Sequence, residues 1–182
     1  MFDSVIQLWH ENPVAQSIGF LGMLAGLLSF HGKTPKAILR LQTVAATFWT
    51  LHFILLGRPA GAALNFLAIF RNVVFSRRGH DRWAASAAWP FVFATLFALS
   101  GFYSGIVLHE GWRSALSTAA QCLACFVLVG TRPQAIRVGS IAVSALWLVY
   151  DFLSGSIPGV LCEIAVQISI YIALFQNRRK AP

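Results

Sequence analysis

The chain of 182 residues is 57% hydrophobic and only 11% charged, with a mean hydropathy of +0.68. Soluble domains are charged at about a quarter of their positions, so this composition excludes an ordinary soluble fold and requires a membrane protein. A net charge of +8 would suit nucleic acid or anionic lipid, but the basic residues fall between apolar blocks, a pattern that membrane topology alone explains.

Residues 1–12 come before the first apolar block. They lack the basic start of a secretory signal and carry Phe2, Val5, Ile6 and Trp9 on one helical face, so they are expected to form an interfacial helix. Seven blocks of about 17–23 residues follow, each sufficient to cross a hydrocarbon core as a helix. The first, 14–31, contains Gly19, Gly22 and Gly26, spaced for close helix packing. The second, 35–56, opens at Pro35 and holds Trp49 and His52; the third, 60–76, holds Asn65. The fourth, 84–105, is almost wholly apolar. The fifth, 113–129, contains a Cys122/Cys125 pair with no charged group or histidine within two turns of it on its helix, which reads as packing. With Cys162 the cysteine count is odd and implies no disulfide framework. The sixth, 134–154, follows Pro133 and carries Trp147, Tyr150 and Asp151; the seventh, 158–176, carries Glu163 and Gln167.

Shifting the chain by 98 residues aligns GKTPKAI with GTRPQAI and WTLHFILLGRPAG with WLVYDFLSGSIPG, giving eight ungapped identities in the thirty positions from Gly32. The repeat spans three blocks. The expected architecture is therefore an all-α membrane protein of seven transmembrane helices in a 3+1+3 plan. A first triple-helix bundle covers 14–78, a linker helix 84–106 and a second bundle 112–177; the single helix between them makes the bundles parallel repeats. Twelve Lys and Arg flank one set of loops, Arg71, Arg77, Arg78, Arg82, Arg179 and Lys180 among them, against Arg58 and Arg113 on the other set. The positive-inside rule then puts the N-terminus outside and the C-terminus in the cytoplasm.

The repeat also fixes depth. Trp49 and Asn65 each lie eight residues from Gly57, and Trp147 and Glu163 eight from Gly155, so all four sit about 12 Å below the turns, near the midplane. An acid there is costly and belongs in a cavity, beside a partner, or protonated; a neutral packing residue is the plain alternative. Asp151, four residues from its turn, reads as a hydrated acid at a helix end. His52 and Tyr150 are repeat equivalents one turn nearer the outside, expected either as a gate or as interfacial anchors. Gln167, one turn from Glu163, is expected to pair with it. No metal cluster, cofactor motif, hydrolase motif or pair of acids at one depth is evident, so an enzyme is not expected.

The 3+1+3 plan, the Pro133-Gln134 and Pro35-Lys36 dipeptides, and the paired tryptophans resemble the SWEET, SemiSWEET and PQ-loop transporters. That resemblance implies a central solute pocket lined by Trp49, Asn65 and Trp147, with Glu163 replacing a second asparagine, and hinges at Pro35 and Pro133. The stretches LLGRPAGAALNFLAIFRN and DFLSGSIPGVLCEIAVQISIYIALFQNRRK resemble the YgjV-type bacterial inner-membrane proteins, which implies that membrane but no substrate. The partners implied are a small polar solute, protons, membrane lipid and further copies of the chain, with no nucleic acid. A receptor or assembly protein on the same fold is the alternative.

Overall fold

A computed structural model describes residues 2–29, 31–130 and 132–178, with the side chains of residues 2–5, 133 and 173–178 left aside. Arg179, Lys180 and the Pro133 side chain thus lie outside the described residues. Among the described residues the chain is entirely helical, in eight helices: α1 (Phe2–Glu11), α2 (Pro13–Ser29), α3 (Pro35–Leu55), α4 (Pro59–Ser76), α5 (Trp89–Ile106), α6 (Arg113–Val127), α7 (Pro133–Ser154) and α8 (Ile157–Arg178). Proline opens α2, α3, α4 and α7, where its missing N–H costs no hydrogen bond. Thr34 caps α3 by accepting the Ala37 N–H.

Four helices are long and apolar enough to cross a membrane: α3, α4, α5 and α7. Helix α2 and the Ile157–Ile172 part of α8 are apolar but shorter. The fifth expected span is reduced to the 15 residues of α6. Ser114, Ser117, Thr118 and Gln121 lower its hydropathy, and all but Gln121 turn their hydroxyls back onto the chain's own carbonyls. The fourth span starts at Trp89 and not at 84, because Pro90 belongs in a first helical turn and the preceding residues form turns, with Trp89 Nε1 donating to the Trp83 carbonyl.

Helix contacts run α2 to α3, α3 to α4, α4 to α6, α6 to α7, α7 to α8 and α8 back to α2, a closed ring of six. Helix α5 packs outside it, across α4 and α6, and α1 lies against α2 and α8. The outer surface is apolar: Phe91, Leu99 and Phe102 of α5 and Phe152 of α7 are all more than 60% exposed. The buried set instead contains Gln16, His52, Asn65, Arg71, Asn72, Gln121, Asp151 and several serines. Polar groups inside an apolar coat are the arrangement that a lipid environment selects.

Local geometry recurs at the 98-residue spacing. Gly57 and Gly155 both take left-handed φ, at 65° and 72°. A Cβ on Gly61 would strike the Phe53 ring at 2.7 Å, and one on Gly159 would strike Asp151 Cγ at 2.4 Å. The α3–α4 and α7–α8 turns lie at the same end of the ring, since Arg58 Nε donates to the Ser154 carbonyl at 3.4 Å and the Gly61 N–H to the Tyr150 hydroxyl at 2.9 Å.

Candidate functional site

The ring encloses a cavity of about 160 Å³. It is lined by all six ring helices and by no residue of α5. Trp49, Asn65, Trp147 and Glu163, separated by as much as 114 positions, all line it. Of its 23 lining residues, 18 form nine pairs spaced by 98, among them Gln42/Ser140, Ala46/Ser144, Trp49/Trp147, Phe53/Asp151 and Asn65/Glu163.

The end of the cavity nearest the two turns is aromatic. Phe53 stacks on Trp147 at 6.1 Å and lies 6.2 Å from Trp49. Behind this layer stand His52, edge-on to Trp49 at 5.3 Å, and Tyr150, edge-on to Trp147 at 5.4 Å. Neither His52 nor Tyr150 lines the cavity, and neither is an interfacial anchor, because both are fully buried. His52 Nδ1 bonds the Ala15 carbonyl at 2.7 Å; a carbonyl only accepts, so Nδ1 carries the proton and Nε2 accepts from Ser156 Oγ at 2.8 Å. The Tyr150 hydroxyl donates to Glu110 Oε1 at 2.7 Å, while Glu110 Oε2 accepts the Ala60 N–H at 2.7 Å. Glu110 therefore caps α4 from the α5–α6 connection. Gln16 completes this end by donating to the Gly155 carbonyl and accepting the Ile157 N–H.

The polar side chains of the cavity differ from expectation in three ways. Asp151 is no hydrated end-of-helix acid: it is 3% exposed, lines the cavity, and its Oδ1 has no hydrogen-bond partner. Packing of α8 over Gly159 covers it, so Asp151 and Glu163 share one cavity, at depths about a helical turn apart. Gln167 does not pair with Glu163; its amide donates to the Ile141 carbonyl at 2.8 Å on the α7 side. Arg71 does not flank a loop. It is 4% exposed on the cavity wall, Nε and Nη2 donate to Asn72 Oδ1 at 3.2 and 3.1 Å, Nη1 donates to Gln121 Oε1, and the guanidinium lies 5.3 Å from the Phe97 ring centre. Its signal was a basic residue inside an apolar block and not beyond it; Glu110 gave no signal at all.

Asn65 donates to the Gly61 carbonyl at 2.9 Å, and Ser144 Oγ to the Glu163 backbone carbonyl at 3.3 Å. Cys122, Cys125 and Cys162 are free thiols, and the first two donate to backbone carbonyls, in keeping with packing. Among the described residues no group of three or more His, Cys, Asp or Glu could hold a metal ion.

A ring of helices, apolar outside and enclosing a charged, tryptophan-walled cavity, defines an integral membrane protein with a buried polar chamber. Residues 13–181 match the family of bacterial inner membrane proteins named Imp-YgjV, and the chain belongs to that family. No curated protein and no solved structure matches it.

Proposed function

We propose that this chain is a small-solute transporter working by alternating access around the central cavity, on a SWEET/PQ-loop-like plan. The observation that carries the reading is the cavity lining, built largely from pairs of residues 98 apart. Such a lining is what two triple-helix bundles, α2–α4 and α6–α8, would produce around a pseudo-two-fold axis, with α5 as the linker that keeps them parallel. Trp49 and Trp147 form apolar walls, and Asn65 and Glu163 supply polar contacts to a solute. The bundles rock against each other with hinges at Pro35 and Pro133, each the first residue of its helix. His52, Tyr150 and Glu110 serve as the gate on the side of the Gly57 and Gly155 turns. That side faces outward, the N-terminus is external and α1 lies in the interface. Moving Arg71 to the cavity leaves eleven basic residues of the original twelve on the cytoplasmic side, so the charge asymmetry behind this orientation survives.

Glu163 binds and releases the coupling proton as the site opens to each side. The test is flux into liposomes containing the purified protein, with and without a pH gradient. Glu163→Gln is expected to lose the gradient's effect on flux, while Trp147→Ala loses binding. Solute binding without flux in any gradient refutes transport and favours a receptor on the same fold.

A further inference from the structure

Residues related by the 98-residue spacing differ in kind at a few positions of the cavity, and the charge is concentrated there. Phe53 is answered by Asp151, Asn65 by Glu163, and Arg71 by the exposed Ser169, which is not part of the lining. The cavity thus has two acids toward one end and a guanidinium toward the other. Both turns lie at the same end of the ring, so distance along the helices from Gly57 and Gly155 measures depth. Asp151 is four residues from its turn, Glu163 eight and Arg71 fourteen. The backbones of Glu163 and Arg71 are therefore offset along the ring axis by about 9 Å at 1.5 Å per residue.

Neither charge is compensated by the protein. The Arg77–Asp81 ion pair lies at the edge of the fold and involves none of these three residues. The partners of Arg71 are the neutral amides of Asn72 and Gln121, which occupy three of its five N–H groups, with the weakly accepting Cys125 thiol beside it. Asp151 Oδ1 is buried with no partner. Buried charges lacking an opposite charge are costly, and a ligand carrying both signs would satisfy both ends at once.

We propose that the cavity binds a small zwitterion, its ammonium held by Glu163 and Asp151 and its carboxylate by Arg71. A short amino acid, whose ammonium and carboxylate oxygens lie roughly 3 Å apart, would place a charge-assisted hydrogen bond of about 2.8 Å at each end. A cavity of about 160 Å³ has room for such a molecule. The two tryptophans pack on its carbon skeleton, and Trp49 or Trp147 faces the ammonium with a ring. The proposal rests on the transporter reading only for delivery of the ligand; recognition is independent of it.

The full chain in detergent is titrated calorimetrically with glycine, L-alanine, β-alanine and 4-aminobutyrate. Propionate, ethylamine and glucose serve as probes lacking the ammonium, the carboxylate or both. At least one amino acid is expected to bind about tenfold or more tighter than propionate and ethylamine, with glucose weaker still. Arg71→Gln should weaken that amino acid by a similar factor while leaving ethylamine unchanged, and Glu163→Gln should spare propionate. Arg71→Lys, which keeps the charge, should retain most of the binding and guards against a folding defect in Arg71→Gln. The proposal is overturned if propionate or glucose binds as tightly as every amino acid, or if none of the four amino acids binds. Amino-acid binding without flux in liposomes leaves the ligand class standing and removes transport. Glucose flux without amino-acid binding does the reverse.

Discussion

Removal of the Tyr150 hydroxyl tests how the turn-side end of the ring is held shut. That oxygen donates to Glu110 Oε1 at 2.7 Å and accepts the buried Gly61 N–H at 2.9 Å. Tyr150→Phe retains the ring contacts with Trp147 at 5.4 Å and Phe53 at 5.7 Å, so the loss is confined to two hydrogen bonds. A hydrogen bond to a charged group contributes about 1.5–3 kcal/mol, and a stranded buried N–H costs about 1–3 kcal/mol. Side-chain hydrogen bonds in membrane proteins average nearer 0.6 kcal/mol, because the membrane-inserted unfolded state finds other partners. These bounds together give an expected destabilisation of about 1.5–3 kcal/mol. Reversible unfolding in mixed micelles measures it, as a double-mutant cycle with Glu110→Ala. A coupling of about 1–2 kcal/mol is expected, because Glu110 bridges Tyr150 to the Ala60 N–H. Two changes that add to within about 0.5 kcal/mol would refute the idea that Glu110 and Tyr150 form one latch.

Gly61→Ala and Gly159→Ala should each destabilise by about 1–3 kcal/mol through overpacking, against Phe53 and Asp151 respectively, as read by unfolding in the same micelles. Gly57→Ala meets no atom within 4 Å, but its φ of 65° is strained for alanine, so a smaller loss of about 1 kcal/mol is expected from the same measurement. Topology is checked with single cysteines at Arg58 and Lys33 in a background lacking native cysteines. An impermeant maleimide added to whole cells should label the first, and the second only after permeabilisation; the opposite result inverts the proposed orientation.

Composition and apolar block lengths already determined that this is a helical membrane protein, because spanning lipid leaves a helical chain few ways to satisfy its backbone. The 98-residue repeat, through the glycine-centred turns and the tryptophans eight residues before them, located four residues that line the cavity, since depth along a helix follows directly from residue count. Counting could not say which way a side chain faces once two helices pack. Asp151 looked hydrated by depth alone, yet α8 packs over it at Gly159. Arg71 looked like a loop cation by its neighbours in sequence, yet Gln121 of α6, fifty positions away, draws it to the cavity wall. Gln167 sat on the expected helix, but its partner is the Ile141 carbonyl of α7. Glu110 acquires a role only because the α5–α6 connection folds onto the start of α4. Depth is a property of one helix and was legible in the sequence; partnership between helices is a property of the packed ring, and only the tertiary structure decided it.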